Sequence, residues 1–163
     1  MKDRLEPGPN QESVWDYPRP PRLEACEHRI KIVVDDETIA LSHKSYRVLE
    51  TSHPPVYYLP PDSVRMELMR QTAHGSFCEW KGHAHYFSLL LTGREIENVA
   101  WSYKSPTERF EAIAGYLAFY PSRVDACFVD DERVTAQDGD FYGGWITSKI
   151  VGPFKGAPGT LGW

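Results

Sequence analysis

In the stretch HRIKIVVDDETIALS, Ile30, Ile32 and Val34 alternate with polar or solvent-tolerant positions, Asp35-Asp36 interrupts, and Thr38-Ile39-Ala40-Leu41 resumes. A period of two broken by turn-forming residues predicts a β-hairpin. The same grammar recurs in CFVDDERVT, Cys127 to Thr135, and in LLLTGREIENVAW, where Thr92-Gly93 stand at the turn. We read three separate hairpins sharing one turn chemistry rather than an internal duplication. One helix is signalled in SPTERFEAIAG: Ser105 can cap it, Pro106 suits its first position and Glu108 closes a capping box. Phe110, Ile113 and Ala114 give it an apolar stripe and Gly115 a stop, after which YLAFYP reads as a strand ended by Pro121. A second, shorter helix is expected to begin at Asp62 in PPDSVRMELM. The pattern predicts a mainly β, single compact domain of antiparallel hairpins with one or two short helices.

The two ends read differently. Residues 1–22 form an arm with prolines at 7, 9, 18, 20 and 21, which exclude a helix or a central strand. Trp15 and Tyr17 can anchor that arm on the body or on a partner subunit. From Gly139 the chain runs GDFYGGWITSKIVGPFKGAPGTLGW. Its glycines and prolines exclude regular structure over most of its length, yet Phe141, Tyr142, Trp145, Phe154 and Trp163 are too many aromatics for a disordered tail. The expected organisation is arm 1–22, body 23–138 and tail 139–163, with the tail lying on the domain or on a neighbour.

Charge and composition narrow the classes of partner. A formal charge of -5 argues against general attraction to nucleic acid or anionic lipid. The small basic group Arg19-Pro20-Pro21-Arg22 reads as a solvated loop rather than a phosphate clamp. The opening residues contain no apolar signal-peptide core, and the most apolar run, Tyr86 to Leu91, falls far short of the roughly 20 residues that span a bilayer. The expectation is a soluble, cytoplasmic chain without a membrane partner. Cys26, Cys78 and Cys127 are odd in number and form no CxxC pair, so reduced thiols are expected rather than a zinc ribbon or a disulfide scaffold. Aromatics reach 13%, with 5 Trp and 9 Tyr, so much of the core or a pocket wall is ring surface.

Candidate chemistry concentrates in SFCEWKGHAHYFSLLL, Ser76 to Leu91. On a strand, Ser76, Cys78 and Trp80 share one face while Phe77 and Glu79 take the other. Lys81, three residues from Cys78, would favour a reactive thiolate, making Cys78 a nucleophile or a peroxide-reactive group. The plainer alternative is a small buried Cys78 beside a turn whose lysine faces water. His83 and His85, with Cys78, offer a possible zinc set, but they flank a turn where exposure is expected, and no metal is assigned. Alternation puts Glu97 on one face with Val99 and Trp101. There it serves as a general acid or base if buried, or as a structural ion-pair partner of Arg47 or Arg65, the favoured reading. Glu50 and Asn98 are likewise polar residues in apolar strands. In SHPPVYYLPP, four prolines bracket Val56-Tyr57-Tyr58-Leu59. This stiff segment either lines an aromatic pocket beside Trp80, Trp101 or Tyr103, or is a proline-stiffened edge strand.

The segments RVLETSHPPVYYLPPDSVRMEL (47–68), SFCEWKGHAHYFSL (76–89), ENVAWSY (97–103) and IAGYLAFYPSRVDACFVD (113–130) together resemble the domain-of-unknown-function family 427. With the first hairpin they cover most of residues 28–135. The resemblance implies the β-tent (Mss4-like) fold, whose members use the space between sheets for a structural zinc, for cysteine-based methionine-sulfoxide reduction, or for an aromatic cage around a cyclic imide. This chain lacks the zinc knuckles, and the tail resembles an extension found in only some relatives. Some relatives carry a nucleotidyltransferase-like label. That chemistry needs paired carboxylates soon after a Gly-Ser to hold Mg²⁺, but after Gly75-Ser76 the expected stretch reads Tyr86-Phe87-Ser88-Leu89-Leu90. Asp138-Gly139-Asp140 lies in the Gly-rich tail, and no phosphate-binding loop is present.

Three readings follow. The first is a binding domain for a small molecule of unknown identity, in a pocket between sheets walled by Tyr57, Tyr58, Trp80, Trp101 and Tyr103, with Lys81, Glu97 and Asn98 orienting the ligand. The second is an enzyme using Cys78 as nucleophile or redox centre, assisted by Lys81 and Glu97. The third is an interaction module docking through arm and tail, with a homodimer left open. No cofactor is implied.

Overall fold

A computed structural model describes residues 4–139 and 141–163. Its strands in chain order begin with β1 (Glu12–Ser13) in the arm, followed by β2 (Arg22–Cys26). Next come β3 (Ile30–Val34), β4 (Glu37–Ser42), β5 (Ser45–Leu49) and β6 (Val56–Tyr58). Three long strands, β7 (Met69–Cys78), β8 (Gly82–Leu91) and β9 (Arg94–Ser102), precede β10 (Leu117–Phe119), β11 (Ala126–Val129) and β12 (Glu132–Arg133). The last three are β13 (Thr135–Ala136), β14 (Trp145–Ile146) and β15 (Ile150–Val151).

The fold is mainly β. Its larger sheets run β12-β11-β3-β4, β10-β9-β8-β7 and β2-β5-β6, and every pair in them is antiparallel. Reciprocal bonds between Leu59 and Leu117, 2.8 Å each way, connect the end of β6 to β10. The hairpins fall where the alternation breaks. Asp35 and Asp36 both take positive φ (52° and 62°), the backbone a tight hairpin turn requires. Ile30, Ile32 and Val34 are fully buried on one face of β3.

The expected short helices both form, in 3-10 rather than α geometry. In SPTERFEAIAG the helical residues are Glu108–Ile113, in 3-10 geometry and kinked at Phe110. Thr107 rather than Ser105 precedes them, and its hydroxyl donates to the Trp80 carbonyl (2.6 Å) instead of capping. Six residues are too few to sustain an α-helix, and Phe110 and Ile113, three apart, both reach the core in the tighter winding. PPDSVRMELM gives two single 3-10 turns, Pro61–Ser63 and Met66–Leu68. Val64 between them stays extended because it enters the core and bridges Ala40.

One buried cluster joins Ile32, Ile39, Leu59, Leu89, Val99 and Phe119 between the sheets. A second, largely aromatic, gathers Tyr58, Tyr86, Trp101, Tyr103 and Phe110. Successive residues of β6 serve the two: Tyr57 joins the first and Tyr58 the second. A third cluster joins the arm to the tail through Val14, Tyr17, Leu49 and Ile150. There β1 pairs with β15 in parallel, and the Trp15 indole donates to the Pro153 carbonyl at 2.8 Å. Arg47 clamps the arm to the sheet by donating to both Glu12 (3.1 Å) and Glu24 (3.0 Å). Among the described residues no helix is long and apolar enough to cross a membrane.

Candidate functional site

Strand pairing sets Tyr86 opposite Trp101, and Tyr103 follows two residues on, in the same aromatic cluster. Tyr58 reaches this group from β6, where the Trp101 indole donates to its hydroxyl at 3.2 Å with the rings edge to face. Tyr103 lies 6.3 Å from Tyr58, and Tyr120 lies 4.6 Å from Trp101, ring centre to ring centre. Burial, with neighbouring phenols and Cys78 adding to it, pushes the Tyr103 hydroxyl far above the ordinary phenol range, and burial does the same at Tyr58. Both remain protonated donors at any working pH.

Lys81 enters the same group from the turn after β7. Its N–H donates to the Cys78 carbonyl and its own carbonyl accepts from Thr107, each at 3.2 Å. The segment 105–107 thus covers the turn from outside and the side chain turns inward, leaving Lys81 only 9% exposed. Its ammonium lies 5.7 Å from the centre of the Tyr103 ring and 5.8 Å from that of Phe110. Among the described residues no carboxylate pairs with it and no hydrogen bond satisfies it. The stem of Lys81 thus lies in the cluster while its ammonium keeps contact with water. Cys78 and Trp80, both half-buried, pack against the same cluster.

Every residue of this group, from Tyr58 to Tyr120, falls inside the segment 22–130, which matches a family model described as Domain of unknown function (DUF427). The chain belongs to the DUF427 family. No curated protein matches it.

The remaining sequence candidates lie elsewhere on the DUF427 domain. Tyr57 faces away from Tyr58 and stacks on Trp145 at 4.8 Å, and burial pushes its phenol up to about 12. Alternation along β9 fails at Asn98, whose φ of 48° marks an irregular pairing with β8, so exposed Glu97 does not share the face of Trp101. Asn98 itself is tied down: its side-chain oxygen accepts from Thr72 (2.7 Å) and its N–H donates to Ser88 (3.1 Å). Arg47 and Arg65 pair with carboxylates other than Glu97, namely Glu12 and Glu24 for the first, Glu37 and Glu67 for the second. Glu50 faces Arg19 (3.3 Å) and His53 (3.6 Å). His83 is exposed with its ring against Phe77, and His85 contacts Gln71, whereas Cys78 packs inward with Ala84 and Tyr86. The two histidines and the thiol therefore do not converge.

Sequence reasoning passed over His53. Its Nδ1 lies 3.4 Å from the Gln137 amide nitrogen, a donor, so Nδ1 accepts and the proton sits on Nε2, toward Glu50. Burial, followed by the positive charges of Lys155, Arg19 and Lys81, pushes its pKa down to about 4. Tyr142 of the tail packs its ring edge against His53, and the Phe141 carbonyl accepts from the Tyr120 hydroxyl at 3.4 Å. Gly143 lies so close to Trp101 that an added Cβ would stand 2.3 Å from the indole. The tail thus roofs the aromatic group, and the paired glycines 143–144 were the trace of this in the sequence. Gly143→Ala is expected to force Trp101 or the tail aside and to cost about 1–2 kcal/mol. Urea unfolding followed by tryptophan fluorescence measures that loss.

A cleft of about 1000 Å³ lies apart from this group, lined by Glu24, His28, Arg47, Tyr57, Asp130 and Lys149 among others. Arg47 there is already paired with Glu12 and Glu24, and His28 with Asp130 at 2.8 Å. The cleft has room but its central charges are matched.

Proposed function

We propose that the chain binds a small molecule at the aromatic group around Lys81. The observation that carries this reading is Lys81, a residue nine-tenths buried in the aromatic cluster, whose ammonium lies beside the rings of Tyr103 and Phe110 and has no hydrogen bond among the described residues. Tyr58, Trp101 and Tyr103 supply a rigid apolar wall with a few inward hydroxyls, the composition small-molecule sites favour. Half-buried Cys78 and Trp80 stand where the group meets solvent.

Native mass spectrometry of gently purified protein tests the reading. The expected result is a surplus mass over the denatured chain, retained in Cys78→Ser and absent in Lys81→Met. Lys81→Met keeps the packing of the stem and is expected to match the parent in stability within about 1 kcal/mol, so loss of the surplus cannot be ascribed to unfolding. A bare chain in all three proteins rejects a tightly held ligand. Loss of the surplus in Cys78→Ser alone shifts the assignment to the thiol.

A further inference from the structure

The cleft of about 1000 Å³, apart from the Lys81 group, has matched charges at its centre but not at its ends. Cys26, Tyr57 and Ile150, each more than nine-tenths buried, give it a largely apolar floor. At one end Glu27, Asp130 and Asp131 gather where the chain leaving β2 meets the turn between β11 and β12. Asp130 is met by His28 and Asp131 by Arg29, but exposed Glu27 has no ion-pair partner among the described residues. At the other end Arg47 and Tyr57 come from paired positions of β5 and β6. Lys149 joins them from the tail, where its carbonyl holds the N–H of Glu12, a partner of Arg47. The Lys149 ammonium is likewise unpaired among the described residues. Tyr57 is only 5% exposed, and its hydroxyl lies beside the Arg47 guanidinium with a proton that meets no acceptor among the described residues. A buried donor that opens on a cleft calls for an acceptor the chain itself does not supply. Glu24, which pairs with Arg47, and Glu27 are three residues of chain apart, so the two ends lie roughly 10 Å from each other.

We propose that this cleft binds a free amino acid with a basic aliphatic side chain. The side-chain ammonium meets Glu27 and the neighbouring aspartates, the carboxylate accepts from the Tyr57 hydroxyl and the Lys149 ammonium, and the methylene stem lies on the apolar floor. Both ends then make charge-assisted hydrogen bonds, the strong kind. Six carboxylates line the cleft against Arg47, Lys149 and His28, which disfavours a phosphorylated ligand. Among the described residues no three His, Cys, Asp or Glu side chains come together to hold a metal ion. Carboxylates strung along a cleft suit an extended organic cation instead.

The test titrates L-lysine, norleucine and cadaverine calorimetrically into the full chain at low ionic strength. Norleucine lacks the side-chain ammonium and cadaverine lacks the carboxylate. The expected result is saturable binding of lysine, about tenfold or more tighter than either analogue, the scale of one charge-assisted contact. The preference over norleucine is expected to collapse toward parity in the double variant Glu27→Gln with Asp131→Asn, both exposed positions. The preference over cadaverine is expected to fall several-fold in Tyr57→Phe, which keeps its ring on Trp145. Lys81→Met should bind lysine as the parent does, because the aromatic group takes no part. Norleucine binding as tightly as lysine would overturn the ammonium contact, and cadaverine doing so would overturn the carboxylate contact. Saturable binding of none of the three in the millimolar range overturns the site. Discrimination against norleucine that survives the double variant, or lysine binding lost in Lys81→Met, places the ligand elsewhere and overturns the proposal.

Discussion

Trp145→Ala is expected to cost about 3–5 kcal/mol of stability, enough to unfold a marginal domain. Trp145 lies in the tail, outside the residues matched to DUF427, yet it has no exposed surface and sits in the cluster shared by the main sheets. Its ring stacks on Tyr57, its indole donates to the Phe119 carbonyl at 3.2 Å, and its backbone N–H donates to Pro55 at 2.8 Å. Truncation would open a cavity the size of an indole and orphan a buried acceptor. Phe141→Ala, a few residues earlier but 64% exposed, should stay within about 0.5 kcal/mol of the parent. Urea unfolding of the two variants side by side makes the comparison. A loss below about 1 kcal/mol at Trp145 would mean that the tail merely lies on a finished core.

Acidification should expose His53. Its folded pKa, about 4, lies below the ordinary value of 6.5, so the imidazole is neutral in both folded and unfolded chains above pH 6.5. Between pH 6.5 and 4 the unfolded chain takes up a proton that the folded chain refuses, and stability falls by about 1.4 kcal/mol per pH unit, about 3 in total. Below the folded pKa the loss levels off. In His53→Gln the difference in unfolding free energy between pH 7 and pH 4.5 should shrink by about 2–3 kcal/mol. The other five histidines are exposed or half-buried and leave the comparison clean. An unchanged pH slope in His53→Gln would show that the ring is already hydrated in the folded chain.

The hairpins were legible because alternation and turn chemistry are local and agree with each other. Asp35-Asp36 and Thr92-Gly93 fall at turns between paired strands. The helix in SPTERFEAIAG was placed rightly but begins later and winds tighter than expected, because a capping signal says where a helix can start, not whether enough chain remains for α geometry. Grouping Tyr58 with Trp101 and Tyr103 was within reach, since aromatic residues at like positions of neighbouring strands meet. Tyr57 was grouped with them although alternation alone sends it the other way. Glu97 was misplaced because a single positive φ at Asn98 shifts the register, and nothing local to ENVAW announces it. Lys81 was named both as a pocket residue and as a water-facing turn lysine, and the sequence could not choose between them. A lysine-glycine turn reads as solvent-facing, and only the cover supplied by Ser105 to Thr107, distant in sequence, turns it inward. The same holds for His53, whose burial depends on Gln137 and Tyr142.

The parallel ribbon of Glu12–Ser13 with Ile150–Val151 has a bearing on the order of assembly. During synthesis the arm leaves the ribosome long before its strand partner, with β2 to β14 made between them. The intervening hairpins must hold their shape while the Arg47 side of the sheet waits for Glu12 to be fixed there. Joining the arm to the tail is a contact of long range, and such contacts are slow to form and rewarded late. Until the Trp145 indole and β15 arrive, the nascent chain carries an unfilled space against Tyr57, and it is over this interval that the protein is most open to aggregation.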